Sequence, residues 1–398
     1  MTLFQHPELE QQVRGHGLEF FPIEIPYLAV PKKKRMKTGH NAGPSIGEIR
    51  DRLDRVHGEM GAFLMEYPAA IRAAGVDTLI MGEITLAGPT VAEMLRLPYF
   101  IVSISVPHNF GWEAPQSIAP SRSWRERLEK HLLQVSVLRM RGPIRRGLDR
   151  YRKQLGLGSI RRIEKTFPEL AHITQWPQCL DIPRSGLLAN FFYTGPFVDG
   201  AGRPPVKFPW ERLDGRPLIY ASLGTTRKGD SAIFYRIAEA CSGLDLQLVI
   251  SLGGRRDPAL FTGLPGNPIL VANAPQLELL QRATIVITHA GPNTALETLM
   301  QGKPMLALPI ALDQPAIAAH LARLGAAEVL SPEACSAQQI RTALVNLLEN
   351  SSYRETAQKL QTQIRSGCGL NCAADIIEAA LAKHHAEACN DAPLEYAR

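Results

Sequence analysis

The stretch Ile285–Pro315, IVITHAGPNTALETLMQGKPMLALPIALDQP, decides how this chain is read. Ile285-Val286-Ile287-Thr288 is a short β-branched run of the kind that a parallel sheet buries on both faces. From Asn293 onward, Ala295, Leu296, Leu299 and Met300 recur at helical spacing and predict the inner face of a helix. A polar loop with His289, Gly291 and Asn293 joins the two, and Glu297 follows one turn in. A second strand, PMLALP, then runs into another polar loop, LDQP. That order is a βαβ unit.

The alternation extends in both directions. From residue 217, PLIYASLG, LQLVIS, PILVA, TIVITH and PMLALP alternate with helical patterns and predict a parallel sheet covered on both faces. AQQIRTALVNLLEN, SYRETAQKLQTQI and NCAADIIEAALAK then read as helices, with no further strand. Upstream, Leu18–Ile23, Thr78–Met81, Tyr99–Ile104, Ala171–Gln175 and Phe191–Thr194 are short apolar runs between helical patterns such as PTVAEMLRL. Between the two series lies TGPFVDGAGRPPVKFPWERLDGRP, aperiodic and dense in Pro and Gly. The expected division is a first α/β domain over 1–198, a linker over 199–216, a second α/β domain over 217–383 and a flexible tail over 384–398.

Two domains suit a chain of 398 residues. With 45% apolar and 21% charged residues it has the profile of a soluble globular protein, and no apolar run is long enough to span a bilayer. The N-terminal MTLFQHPELEQQ lacks the basic and apolar regions of a secretory signal. Six cysteines without CxxC pairing read as reduced, cytoplasmic thiols, and Cys368 and Cys372 lack a histidine partner for a metal. A net charge of +6 favours anionic partners without choosing among sugar nucleotides, acidic lipid and nucleic acid.

In open α/β sheets ligands bind beyond the carboxyl ends of the strands, and the unusual residues of the second domain all fall there. SLGT supplies Ser222, Gly224 and Thr225 as a phosphate-facing turn. The helix starting near Asn293 offers unpaired N–H groups and the positive end of its dipole. Gly291 removes a Cβ from the path of a phosphate, His289 can donate a ring N–H, and Asn293 and Thr294 can cap the helix. Glu297 suits a ribose diol, and Asp313 with Gln314 suits a hydroxyl-rich ring. A cap followed by Glu is also ordinary helix punctuation, and a lone histidine at a strand end is ordinary surface. Three such loops on one sheet edge point instead to a ligand with ribose, diphosphate and sugar, a nucleotide sugar.

The sequence APQLELL…THAGPNTALE…LPIALDQP resembles the signature of the family 1, UDP-glycosyltransferase-like enzymes of the GT-B fold. Their pattern is Pro-Gln, then His-x-Gly-x-Asn-Ser/Thr-x-x-Glu, then Asp-Gln. Pro275, Gln276, His289, Gly291, Asn293, Thr294, Glu297, Asp313 and Gln314 match it. YASLGT and AADIIEAAL are similar to the bacterial zeaxanthin glucosyltransferase branch, and VAEMLRLPYFIVSIS and YTGPF carry a weaker likeness into the first domain. The resemblance implies two Rossmann-like doubly wound domains facing a cleft, the acceptor in the first and the donor in the second. It implies inverting transfer of a hexose, as from UDP-glucose or a dTDP-sugar, to a hydroxyl of a lipophilic small molecule such as a carotenoid, with no metal or cofactor. Asn273, Ala274 and Gln276 would lie along the donor, with Asn273 where many members stack a tryptophan on the base. Pro292 stands where plant members have tryptophan.

The family's general base is a histidine in a Gly-His-x-x-Pro loop after the first strand. Here Met1–Phe4 already resembles the second strand, and neither His6 nor His16 occupies the expected loop. The aspartate partner of that histidine falls at Gly82, with Glu83 beside it. The expectation is a first domain lacking its first strand, either because the protein begins upstream of Met1 or because it is a remodelled relative. Such a chain would bind donor and transfer sugar weakly, unless Glu83 or His108 serves as base. A non-catalytic nucleotide-sugar-binding protein and a nucleotide-sugar epimerase of the same fold are the alternatives.

Two basic stretches remain. Pro31–Lys37, PKKKRMK, resembles a nuclear-localisation patch but reads better as a solvated loop, so no nucleic-acid partner is expected. The region 122–162 mixes Trp124, Leu132, Leu133, Val137 and Leu138 with many Arg and Lys. It reads either as a solvated helical pair or as a surface for peripheral contact with an anionic membrane.

Overall fold

The computed structural model describes residues 1–23, 46–107, 142–160, 168, 170–181, 187–200, 203–224, 231–254 and 256–390. Thr225, His108, the stretch Pro31–Lys37 and residues 122–141 and 161–162 of the basic region lie outside them.

The first unit opens with β1 (Thr2–Gln5), α1 (Glu10–Gly15) and β2 (Glu19–Pro22), whose strands pair in parallel as a two-stranded sheet. After α2 (Ile46–Ala73) come β3 (Leu79–Gly82), α3 (Gly88–Leu95), β4 (Tyr99–Ser103), α4 (142–154), β5 (Ala171–Thr174) and β6 (Phe191–Tyr193). These four strands form a second parallel sheet in the order β3-β4-β5-β6. Among the described residues no strand joins β1 to β3. Apolar packing holds the two pieces together instead. Phe4 of β1 and Leu79 of β3 pack on one cluster built from Met60, Leu64 and Ile71 of α2 and Val91 of α3.

The second unit is a continuous six-stranded sheet of β7 (Leu218–Ser222), β8 (Gln247–Ser251), β9 (Ile269–Val271), β10 (Ala283–Thr288), β11 (Met305–Ala307) and β12 (Ala327–Val329). Its order β12-β11-β10-β7-β8-β9, all parallel, is the Rossmann order, and the chain reverses direction across the sheet between β7 and β10. Its helices are α5 (Ala232–Cys241), α6 (Gln276–Arg282), α7 (Pro292–Met300), α8 (Gln314–Leu324), α9 (Ala337–Glu349) and α10 (Ser351–Arg365). Both faces are apolar for the reason the sequence suggests. On β10, Ile285 and Ile287 enter one core while Val286 enters the other.

Five expectations are corrected. The strand β12, only three residues long, has no periodicity of its own and is defined by pairing with β11. The last helix, α11 (Gly369–Asn390), does not fray at His384, and it leaves the second unit. Ala373, Ile376, Ile377, Ala380 and Leu381 pack on Phe100, Ala171, Ile173 and Phe192 of the first sheet, so the division at 383 does not follow the packing. Cys368 and Cys372 form a disulfide rather than two thiols, their Cα atoms 5.2 Å apart across the start of that helix. Helix α7 begins at Pro292, one residue earlier than expected, with Gly291 as its cap. Among the described residues no helix is long and apolar enough to cross a membrane.

The carboxyl edges of the two sheets face each other. Ser105, just beyond β4, donates to Asp313, and Gln175, just beyond β5, donates to Asn293 across 2.7 Å.

Candidate functional site

The site forms where the sheet order reverses. β7 ends on buried Ser222, and beyond it lies Gly224, whose φ of +78° suits a residue without a side chain. Beyond β10 lie His289, Ala290 in the left-handed region at φ +59°, and Gly291. The His289 ring sits between the two glycines. A Cβ on Gly224 would lie 2.6 Å from His289 Nε2, and one on Gly291 would lie 2.5 Å from it. Gly291 has an ordinary φ of −63°, so space alone requires glycine there. The sequence reading assigned that space to a phosphate; the structure shows that the histidine ring needs it first.

His289 is 8% exposed, and its Nδ1 is buried without a hydrogen-bond partner. Burial pushes its pKa below the usual histidine value, against the opposing pull of the Asp313 carboxylate and the Ser222 carbonyl, which lies outside hydrogen-bonding geometry to Nδ1. The ring is therefore neutral at pH 7, with one N–H to donate. Beside it, the first turn of α7 presents N–H groups that have no partner within the helix. Asn293 and Thr294 do not cap it, because the earlier start at Pro292 places both inside the first turn.

The acceptor groups around this centre are all engaged. Asn293 Oδ1 accepts from Gln175, a buried side chain that also donates to the Ile104 carbonyl and accepts from Phe197 N–H at 3.1 Å. Glu297, one turn deeper, is 3% exposed and accepts from Gln276 Nε2 at 2.7 Å and from Arg203 Nη2 at 2.5 Å. Tyr220 donates to Gln276 at 3.3 Å, and its burial raises the phenol pKa to about 12. Gln314 Oε1 accepts from Ile310 N–H and Ala311 N–H, both at 2.9 Å, which leaves its NH₂ as the end able to face a ligand. Asp313 precedes α8 in a loop where Leu312 is 88% exposed at φ +60°. Left-handed non-glycine residues thus occur in the loops after β10 and β11, as strain at functional sites tends to. Asn273 lies against Gly254, where an added Cβ would come within 2.7 Å of its Oδ1, and Ala274 packs on the apolar core.

Sequence reasoning missed the residues that reach this edge from elsewhere. Ser105, Gln175 and Arg203 belong to no motif, and their places are set by contacts across the domains. A further group lies at the carboxyl edge of the first sheet. Ser103 Oγ donates to Glu83 Oε2 at 2.6 Å and lies 2.8 Å from His172 Nε2, which must then be the donor between them. The Glu83 and His172 side chains are 5% and 4% exposed and 4.0 Å apart. The strand register explains the arrangement. Glu83 continues β3 opposite Ser103, and His172 follows on the same face of β5. His6 instead accepts from Glu8 N–H in an exposed turn, and His16 ends α1.

Comparison with known proteins accords with this geometry. The family described as erythromycin biosynthesis protein CIII-like, C-terminal domain, matches residues 236–379. A zeaxanthin glucosyltransferase from Pantoea ananas is 30% identical over 349 residues, 85% of this chain and 79% of that protein. One from Pseudescherichia vulneris is 28% identical over 94% of this chain and 93% of its own length. Among solved structures, the calicheamicin glycosyltransferase CalG4 superposes with a TM-score of 0.73 at 21% identity, over 96% of this chain and 90% of that one. With the Rossmann order, the opposed carboxyl edges and the histidine between two glycines, these likenesses make the chain a member of the family 1 glycosyltransferases of the GT-B fold.

Proposed function

We propose that this glycosyltransferase moves a hexose, with inversion, from a uridine or thymidine diphosphate sugar to a hydroxyl of a lipophilic acceptor such as a carotenoid, in the cytoplasm. The observation that carries the reading is the His289 ring held between Gly224 and Gly291 at the start of α7. In this reading the diphosphate lies against the α7 N-terminus and receives the His289 N–H, a preorganised arrangement for a departing anion. Asp313 and the NH₂ of Gln314 face the sugar, and Glu297 with Arg203 and Gln276 lies toward the nucleoside. The acceptor oxygen attacks the anomeric carbon from the face opposite the diphosphate. As the carbon–oxygen bond to the diphosphate breaks, its electron pair leaves with the phosphate. The acceptor's proton needs a base. We assign Glu83, whose carboxylate is oriented by Ser103 and His172 at the facing edge.

The kinship with zeaxanthin glucosyltransferases supports a polyene alcohol as the first acceptor to try. The full chain is incubated with UDP-glucose and a carotenoid diol, and the product is read by mass and by the anomeric signal. A gain of one hexose with inverted configuration is expected. Donor binding without product from any lipophilic alcohol would favour the non-catalytic alternative. Conversion of the donor sugar without an acceptor would favour the epimerase.

A further inference from the structure

Away from the cleft, His57 of α2 and one face of α4 border an open groove of about 720 Å³, lined by His57, Arg146, Asp149, Arg150, Lys153 and Ser159, among others, with Arg146, Arg150, Lys153 and Ser159 exposed. The two helices meet closely because residue 147 is glycine: a Cβ there would lie 2.4 Å from the His57 ring. That ring donates Nε2–H to the Pro143 carbonyl at 3.1 Å and pins the start of α4 to α2. Arg146, Arg150 and Lys153 stand at i, i+4 and i+7, so their like charges share one helix face and repel.

A fourth cation of α4 shows what a structural arginine looks like here. Arg152 is buried, donates to both oxygens of Glu93 at 2.8 and 3.0 Å, to Thr90 Oγ1 at 3.1 Å and to the Gly158 carbonyl at 2.7 Å. Among the described residues, no carboxylate pairs with Arg146, Arg150 or Lys153. The one acid of the groove, Asp149, instead accepts from Ile160 N–H at 2.8 Å. The groove therefore gathers on one exposed face two guanidinium forks and an ammonium that no carboxylate pairs with among the described residues.

From this we propose that the open groove between α2 and α4 is a binding site for the phosphate group of an anionic ligand. Two planar forks and a point charge match the several oxygens of one phosphate better than a single carboxylate. The Ser159 hydroxyl adds a neutral donor. A soluble phosphate ester and the headgroup of an anionic lipid offer the same group. The site is independent of the donor edge, so its failure would leave the glycosyltransferase reading intact.

The test uses the full chain and a readout at the groove itself. Lys153 is acetylated with an amine-reactive anhydride and its modification located by peptide mass, in inorganic phosphate or in chloride of equal ionic strength. At a phosphate concentration about twice its Kd, the Lys153 rate is expected to fall about threefold. That protection should vanish in R146E/R150E. The neutral variant R146Q/R150Q should also lose it while keeping the wild-type melting temperature, which separates lost binding from lost folding. In the second arm, vesicles of phosphatidylglycerol and phosphatidylcholine are sedimented with each protein. If a headgroup is the ligand, R146E/R150E should lower the partition coefficient at least about 25-fold, at about fivefold per cation. Phosphate protection with unchanged vesicle binding assigns the site to a soluble ester. Absence of phosphate protection in the wild type overturns the proposal, even if vesicle binding falls, since that alone would be diffuse surface charge.

Discussion

The two sheets of this molecule differ in how they hold their functional groups. In the second unit all six strands form one ladder, and the strands flanking the site, β7 and β10, are buried throughout but for Thr284. Its key side chain is positioned by backbone, a histidine ring clamped between two glycines. In the first unit the strands divide into a pair and a quartet, leaving Leu3 of β1 39% and Ile80 of β3 49% exposed. Its polar groups are positioned by one another, through the chain from His172 to Ser103 to Glu83. The proposed donor site rests on a continuous ladder and on backbone that leaves no room beside the ring. The proposed acceptor side rests on side-chain hydrogen bonds, so single polar replacements there should break it.

The sharpest way to break this contrast is Glu83→Gln. The amide keeps the shape of the carboxylate but cannot take the acceptor's proton. Since general-base catalysis typically contributes about 10²–10⁴-fold, transfer should fall by that order. Calorimetric affinity for UDP should not change. Transfer at the wild-type rate would show that another group removes the proton.

On the donor side, His289→Ala should weaken UDP binding by about 1.5–3 kcal/mol, the range for a hydrogen bond to a charged group. Gly291→Ala sharpens the claim, because the new methyl acts only by moving the ring. Alone it should cost affinity, yet in the His289→Ala background it should cost almost nothing further. A full additional loss would mean that the methyl blocks the phosphate directly, as the sequence reading supposed.

The same contrast explains what could be read from the sequence. Strands such as β10 announce themselves because both faces are apolar, and His289, Gly291 and Asp313 all lie within one short βαβ stretch, Ile285–Pro315. Glu83, Ser103 and His172 come from three strands and meet only through register, which no local pattern encodes. Ser105, Gln175 and Arg203 depend on how one domain meets the next. The strand β12 and the return of α11 to the first sheet are likewise consequences of packing. The start of α7 lies one residue earlier than the sequence suggests, since Pro at the first helical position and Asn one place later are both acceptable starts.

A smaller effect is expected with pH. His289 and His320 both have pKa values lowered, first by burial, so the unfolded chain takes up protons at these sites at a higher pH than the folded one. Stability should be full above about pH 6.5, the unfolded histidine value, and should decline as pH falls below it toward the lower folded values. His289→Ala should flatten part of that decline. A bound diphosphate favours protonated His289, so UDP affinity should rise as pH falls from 8 to 6, and only in proteins that keep the histidine. An unchanged slope in His289→Ala would place the linked proton elsewhere.

The smallest effect carries the most information about how the two sheets communicate. Ser105, from the first unit, donates to the carboxylate of Asp313, the group assigned to the sugar. In the proposed reading, the serine thus occupies a hydrogen-bonding position that a sugar hydroxyl would take. Asp313→Ala should weaken UDP-glucose while leaving UDP nearly unaffected, because the bare diphosphate does not reach it. Ser105→Ala should do the opposite for the sugar nucleotide. With no competing hydroxyl to displace, affinity for UDP-glucose should rise by about 0.5–1.5 kcal/mol, the net worth of one ordinary hydrogen bond, again with UDP unchanged. The melting temperature should fall slightly, since a contact between the units is lost. If Ser105→Ala instead weakens UDP-glucose, the serine binds the sugar together with Asp313, and the first sheet takes a direct part in holding the donor.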